Sequence, residues 1–465
     1  MTDRFQSIRQ LHNNALDKDH RIAQVTATLD DLDTIGRDLD AVTHLDRAFT
    51  LHQAEQDVDP SSPLAGVPLA HKELYGRQGW PDEGGSPSHK GAIARHTAHT
   101  ITKLDNAGAI DCGRLVSVEF ALGVTGHNDY AGTPKNPWNS DYICGGSSSG
   151  SGAMVAAGII PAALGTDTGG SIRLPAAACG LVGIKPSFGL VSRSGIFPLS
   201  HSLDTAGPLA RTVEDAAIML SAIMGFDPTD TTSVNATMPS LTAHLARGVK
   251  GVRIARVERH FLNEVDAEIA DATDAVFQDF SKLGATVKDT DLLDMDIANS
   301  LNVLLIALEA ARLHQETINA HHETMNKQTV MRVMTGAFST DSDARKLAHL
   351  RASMARQVIN TLFAEHDILM TPVWPFLLPT IAESDVGANP EAAPLMQRIG
   401  HNTRPFNFLG LPAVVLPVGL DRNGLPLSVQ LVGKPFSEPL LLQAAAALER
   451  HYCFWDNRPD ISHLS

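Results

Sequence analysis

Serines beside glycine runs are the residues of this sequence with the clearest chemistry. Residues 145–152 are Gly-Gly-Ser-Ser-Ser-Gly-Ser-Gly, and residues 165–175 are Gly-Thr-Asp-Thr-Gly-Gly-Ser-Ile-Arg-Leu-Pro. The Gly169-Gly170 pair before Ser171 allows a turn whose successive N–H groups converge on one point, and such a nest binds developing negative charge. A serine at its end can attack a carbonyl carbon whose oxygen the nest holds. The pattern indicates acyl-transfer chemistry at Ser171.

A serine is a poor nucleophile unless a base removes its proton. Histidine is the usual base, and the chain has 20, but none lies between residue 145 and His201. Lys72 is the alternative, because it lies in the apolar run at residues 67–75, Val-Pro-Leu-Ala-His-Lys-Glu-Leu-Tyr. Lowering a buried lysine's pKa from about 10.4 toward 7 corresponds to roughly 4–5 kcal/mol. Because strand alternation places Glu73 on the opposite face, Lys72 can lose its proton and act as a general base.

The elements that must position these residues alternate between strands and helices. Residues 1–58 have apolar side chains at helical spacing and predict an N-terminal helical segment packed on the core. Residues 145–207 hold 13 of the 36 glycines but also many aliphatic side chains, which indicates buried core rather than a linker. We expect residues 59–465 to form one α/β domain with a parallel or mixed sheet, carrying a variable, mainly helical insertion at about 262–365.

Composition narrows the class of protein. The 465 residues carry 37 Lys and Arg against 52 Asp and Glu, a net charge of −15, which argues against binding to a phosphate backbone. The four cysteines are scattered and show no zinc-ligand spacing, and the polar amino-terminal stretch lacks the apolar core of a signal peptide. We therefore expect a reduced, cytoplasmic protein.

Several motifs in the same order resemble the amidase signature family. The hallmark of that family is Gly-Gly-Ser-Ser-Gly followed by Gly-Thr-Asp-x-Gly-Gly-Ser-x-Arg-x-Pro, which residues 145–175 closely match. Cys-Gly-Leu-Val-Gly-Ile-Lys-Pro at 179–186 and Ser-Leu-Asp-Thr-Ala-Gly-Pro at 202–208 continue the likeness, and residues 66–74 look like the family's lysine strand. The resemblance covers residues 45–226 well and 365–448 moderately. It implies a mixed central sheet covered by helices on both faces (α/β/α).

The resemblance also implies roles for individual residues. In this family a Ser–cis-Ser–Lys triad hydrolyses amides, with Ser171 as nucleophile, Ser147 as the bridging serine after a cis peptide bond, and Lys72 as base. The backbone N–H groups implied for the oxyanion hole are those of Thr168, Gly169, Gly170 and Ser171, and the implied loop supports are Gly146, Asp167 and Arg173. An acyl-serine intermediate forms and water releases the acid, with no metal or organic cofactor required.

Other interpretations of the same residues are open to test. Residues 146–150 fit the G-x-S-x-G pattern of a nucleophile elbow with Ser148 at its centre, although only a very short strand precedes it. His89, His96 and His99 could suggest a metal site, but acidic or cysteine partners at ligand spacing are missing. Trp374 could line a substrate pocket or pack in the core.

The sequence leaves the substrate open among carboxylic amides, carbamates and urea derivatives. We expect a small-molecule amide substrate, no nucleic acid, no membrane, no cofactor and no metal, with a homodimer implied by the resemblance. The alternative is the glutaminase subunit of a tRNA-dependent amidotransferase, which belongs to the same family and supplies ammonia to a partner. Activity of the chain alone would favour the first function, and dependence on a partner would favour the second.

Overall fold

Helices and strands alternate along the computed structural model, which describes residues 4–389 and 392–464. The strands are β1 (Val42–His44), β2 (Pro68–Lys72), β3 (Ile110–Leu115), β4 (Lys135–Asn136), β5 (Asn139–Ile143), β6 (Ala162–Asp167), β7 (Val182–Lys185), β8 (Thr205–Ala210), β9 (Arg253–Arg256), β10 (Thr286–Asp289), β11 (Ile368–Pro372), β12 (Ala413–Leu420) and β13 (Pro426–Val432). The α-helices are α1 (Ile8–Ala15), α2 (Lys18–Asp33), α3 (Ile35–Asp38), α4 (Arg47–Glu55), α5 (His99–Asn106), α6 (Ser149–Ala156), α7 (Arg173–Ala178), α8 (Val213–Ile223), α9 (Ala267–Lys282), α10 (Met295–His321), α11 (Lys327–Gly336), α12 (Asp341–Glu365), α13 (Ile381–Ser384), α14 (Ala392–Ile399), α15 (Arg404–Phe408) and α16 (Glu438–Tyr452). None of the helices in these ranges combines the length and apolar character needed to cross a membrane.

The central sheet has the strand order β10-β9-β11-β13-β12-β7-β8-β6. Strand β9 pairs in parallel with β10 and β11, and the other neighbours pair antiparallel, so the sheet is mixed. Side chains on one strand alternate between the two faces. Ala162 and Leu164 therefore pack in the core that contains α8 and α16, while Ala163 packs on the other face with α6 and α7. The predicted α/β fold, with a mixed sheet between helices, is confirmed.

A second, three-stranded sheet holds Lys72. Its order is β1-β3-β2, with β1 antiparallel and β2 parallel to β3. The amino-terminal segment is thus not wholly helical: helices α1 to α4 surround β1, which we did not expect. Three residues are too short for a clear period-2 pattern, and β1 is defined by its pairing with a strand about 70 residues later.

The segment at 262–365 is mainly helical, as its pattern indicates, but it also supplies an edge strand. Helices α10 and α12 pack with α15 around a third core cluster that includes Leu305, Leu362 and Phe406. Strand β10 extends the central sheet beyond β9. These helices bring side chains from the middle of the sequence to the loop that follows β6.

Candidate active site

Lys72 is the last residue of β2 and its side chain is fully buried. Its Nζ donates hydrogen bonds to Ser147 Oγ at 2.7 Å and to Thr166 Oγ1 at 2.8 Å. The two contacts join β2, the start of α6 and strand β6, which are separated by 75 and 94 positions from Lys72. The ammonium group therefore lies where the sequence predicts, within a chain of hydroxyl groups.

Burial controls the protonation of Lys72. Loss of hydration lowers the pKa of its side chain from 10.5 to about 7, while the more distant charges of Asp204, Glu73 and Asp167 act in the opposite direction. Glu73 faces away from Lys72: its Oε1 accepts hydrogen bonds from the Ser117 backbone N–H at 2.8 Å and from the Ser117 hydroxyl at 3.0 Å. Lys72 can therefore exchange its proton near neutral pH, which is the property a general base needs.

Ser147 follows a cis peptide bond, Gly146–Ser147, and is fully buried. Its neighbour Ser148 is also fully buried, and the Ser148 hydroxyl bonds to the backbone of Thr166, accepting from N–H at 3.3 Å and donating to C=O at 3.4 Å. These contacts hold Ser148 between α6 and β6, which counts against the nucleophile-elbow interpretation. Ser147, not Ser148, is the serine that contacts the lysine.

Ser171 lies in the loop between β6 and α7, 5% exposed, and lines a cavity of about 610 Å³ together with Thr168 and Gly169. Gly170 has φ +129°, and a Cβ there would lie 2.4 Å from Thr403 Oγ1, so the turn requires glycine. The Gly170 N–H donates to Asp167 Oδ1 at 2.8 Å, which commits this predicted oxyanion donor to the loop itself. Thr168 and Gly169 carry the two other predicted N–H groups at the cavity wall.

A buried ion pair fixes the shape of this loop. Asp167 and Arg173 are both fully buried and meet at 3.0 Å, and Arg173 also donates to Asn407 Oδ1 at 2.6 Å and to Gln430 Oε1 at 3.0 Å. Although burial alone raises the pKa of the Asp167 carboxyl, Arg173 lowers it to about 2. The pair therefore stays ionised and ties the loop to β13 and α15, in line with the loop-support role predicted for both residues.

Two arginines that no sequence motif singles out also line the cavity. Arg332 comes from α11 and Arg404 is the first residue of α15. Thr166, the second partner of Lys72, was not predicted either. Each contact joins residues that are far apart in the sequence and depends on the fold, so only the strand alternation near Thr166 could have hinted at one of them.

Other polar and aromatic candidates lie elsewhere. Trp374 is 6% exposed, bonds through Nε1 to the Leu174 carbonyl and packs in the core rather than at the Ser171 cavity. Among the described residues, His260, Asp296 and His401 are close enough to hold a metal ion. The His260 ring nitrogens already pair with Asp296 at 2.7 Å and with the His401 carbonyl at 3.2 Å, so the cluster is satisfied as a hydrogen-bonded unit.

Comparison with known proteins gives the same family as the motifs. The Amidase family model matches residues 23–442. A subunit of glutamyl-tRNA(Gln) amidotransferase from Geobacter sp. (strain M21) is 33% identical over 96% of this chain and 96% of its own length. The structure of the corresponding glutamyl-tRNA(Gln) amidotransferase subunit from Thermotoga maritima superposes with a TM-score of 0.83 at 26% identity, covering 96% of this chain and 95% of that one.

A hydrolase of another substrate has an equally similar fold. The structure of 6-aminohexanoate cyclic dimer hydrolase, complexed with substrate, gives a TM-score of 0.87 at 25% identity over 99% of both chains. The fold therefore occurs in proteins with different substrates, and substrate choice depends on the residues around the cavity.

The comparisons overturn the expected partners. We expected a protein that acts without nucleic acid, but the Geobacter relative is by name one subunit of an enzyme of glutamyl-tRNA(Gln), and it matches along nearly its whole length. The prediction relied on the net charge of −15. That charge bears on direct phosphate binding by this chain, and not on what other members of an assembly bind.

Proposed function

Because the chain belongs to the amidase family, whose members hydrolyse C–N bonds, we propose that it releases ammonia from an amide through an acyl-Ser171 intermediate as one component of a tRNA-dependent amidotransferase. One observation carries the hydrolytic part of this proposal. Lys72 is fully buried, its Nζ lies 2.7 Å from Ser147 Oγ, and burial lowers its pKa to about 7. A structural lysine would instead pair its charge with a carboxylate.

The proposed reaction begins with proton transfer along the hydroxyls. Neutral Lys72 accepts the Ser147 hydroxyl proton through the 2.7 Å contact, and Ser147 takes the proton of Ser171 as the latter attacks the amide carbon. The tetrahedral intermediate carries an oxyanion, which the N–H groups of Thr168 and Gly169 stabilise. The proton returns along the same route to the leaving nitrogen, which departs as ammonia.

Deacylation uses the same groups in reverse. Water enters the cavity, loses its proton through Ser147 to Lys72 and attacks the acyl-Ser171 carbonyl. The acid product leaves and Ser171 recovers its proton. Thr166 keeps a second hydrogen bond to Lys72 Nζ at 2.8 Å throughout, so the amine stays aimed at Ser147.

The relatives support membership of such an assembly. The Geobacter and Thermotoga proteins are both named as the same component of glutamyl-tRNA(Gln) amidotransferase, and both match more than nine-tenths of this chain. An amidotransferase needs a component that frees nitrogen from a donor amide, and a Ser171 site of this kind provides that chemistry.

The test follows the nitrogen. Incubating the chain with a ¹⁵N-amide donor, glutamyl-tRNA(Gln) and the other components of the amidotransferase should move ¹⁵N into the aminoacyl-tRNA. The Ser171→Ala variant should abolish the transfer, whereas Ser148→Ala should retain it. Free ¹⁵N-ammonia with no label on the tRNA, at a rate unaffected by partners or tRNA, would show that the chain is a self-standing hydrolase.

A further inference from the structure

The cavity beside Ser171 carries an unbalanced positive charge. Arg332 and Arg404 both line it, and none of the described residues that line it is an aspartate or a glutamate. Arg332 donates to the Leu122 carbonyl at 2.7 Å, and Arg404 donates to the Gln397 carbonyl at 2.8 Å and to Asn299 Oδ1 at 3.4 Å. These partners are neutral, so the two guanidinium charges have no counter-ion among them.

The position of Arg404 depends on two glycines. A Cβ at Gly169 would lie 3.4 Å from Arg404 Cγ, so the arginine stem crosses the loop that precedes Ser171. A Cβ at Gly400 would lie only 2.7 Å from Arg404 Cζ, so the guanidinium occupies the space that this missing side chain leaves. Gly400 has no positive φ and could accept alanine in its backbone conformation. Arg404 is thus held over the nucleophile loop by a notch in its own segment.

The two cations affect each other inside the cavity. Burial lowers the pKa of both guanidinium groups, and the charge of Arg332 lowers that of Arg404 further, to about 10. Both groups are cationic at neutral pH. An anion that enters between them would offset this repulsion and would use guanidinium N–H groups that the protein leaves available.

We propose that Arg404 is a specificity-determining residue that binds a carboxylate of the substrate, and that the donor is a primary amide whose acyl part ends in a carboxylate and carries no ammonium group. An ammonium group, as in glutamine, would enter a site with two cations and no carboxylate to receive it. The inference rests on the proposed amide hydrolysis at Ser171 and adds the class of donor.

Substrates of matched shape test the charge preference. We would measure ammonia release by the full chain from succinamate, glutaramate and adipamate, which differ in length, and from pentanamide and glutamine. The best of the three acids should exceed pentanamide in kcat/KM by about tenfold to a hundredfold, as expected for charge-assisted hydrogen bonds. It should also exceed glutamine. Equal turnover of pentanamide, or a preference for glutamine, would overturn the inference.

Variants test the residue itself. Arg404→Met should raise KM for the best acid about tenfold or more, with little change in kcat for pentanamide, and Arg404→Lys should recover part of the loss. Gly400→Ala should raise the same KM, because its Cβ displaces the guanidinium. Arg398→Met is the matched control, since Arg398 is exposed and bonds the Glu264 carbonyl. An Arg404→Met variant that matches this control for every substrate would refute the role.

Failure of this inference differs from failure of the proposed function. If Ser171 is acylated and all amides turn over without regard to charge, the donor class is wrong and the hydrolytic mechanism stands. If none of the five amides is hydrolysed and Ser171 is not acylated, both are wrong.

Discussion

Replacing Lys72 by methionine should abolish activity and make the folded chain more stable at neutral pH. The side chain is fully buried, and its pKa falls from 10.5 in an ordinary setting to about 7 in the folded protein. Between these values the unfolded chain binds a proton that the folded chain does not. The resulting penalty is full below pH 7 and disappears as the pH rises through 10.5.

The size of this effect follows from the two pKa values. A difference of 3.5 units between 10.5 and 7 corresponds to about 4–5 kcal/mol at pH 7 and only about 1.4 kcal/mol at pH 9.5. The variant also leaves the Ser147 and Thr166 hydroxyls without their lysine partner, which costs about 1–3 kcal/mol each, but that loss does not depend on pH. The free-energy difference between variant and wild type should therefore shrink by about 3 kcal/mol between pH 7 and pH 9.5.

Urea denaturation of both proteins at the two pH values measures this change. Comparing variant with wild type cancels the titration of other groups that the two proteins share. A difference in unfolding free energy that stays constant between pH 7 and pH 9.5 would mean that Lys72 keeps its ordinary pKa when folded. The general-base assignment would then be wrong, even if the variant is inactive.

Three further substitutions test neighbouring parts of the site. Ser171→Ala should remove turnover while its melting temperature stays within about 2 °C of wild type by calorimetry, because it deletes one hydroxyl at a cavity wall. Thr166→Val should reduce kcat and move the pH–rate profile to lower pH, because the Lys72 ammonium loses its 2.8 Å acceptor; an unchanged profile would contradict this role. Arg173→Met should cost about 3–5 kcal/mol in urea denaturation by stranding the buried Asp167 carboxylate, and adding Asp167→Asn should recover part of that loss.

Local patterns in the sequence predict the elements around the site well. The apolar run at 368–372 is strand β11 with those same bounds, and the helix predicted from residue 99 is α5 (His99–Asn106). These segments succeed because apolar periodicity and glycine or proline at the ends are local signals. The lysine strand was found in the same way, and Lys72 is fully buried as expected.

Features that depend on distant parts of the chain could not be predicted in the same way. Arg404 meets the nucleophile loop 235 positions after Gly169, and Arg173 bonds Gln430 across 257 positions. Strand β1 exists through its pairing with β3. The Gly170 N–H could be assigned to the loop only once the Asp167 carboxylate was located beside it. In each case the contact depends on the packed fold, and neither composition nor spacing encodes it.

The most direct test of the central claim is the pH dependence of covalent labelling by a serine-directed phosphonate. The modified peptide, mapped by mass spectrometry, should carry the label on Ser171, and the labelling rate should rise with pH around an apparent pKa near 7, the value that burial gives Lys72. The Lys72→Met variant should lose this rise. Label on Ser148, or a wild-type rate that does not change between pH 5.5 and pH 8.5, would contradict the account.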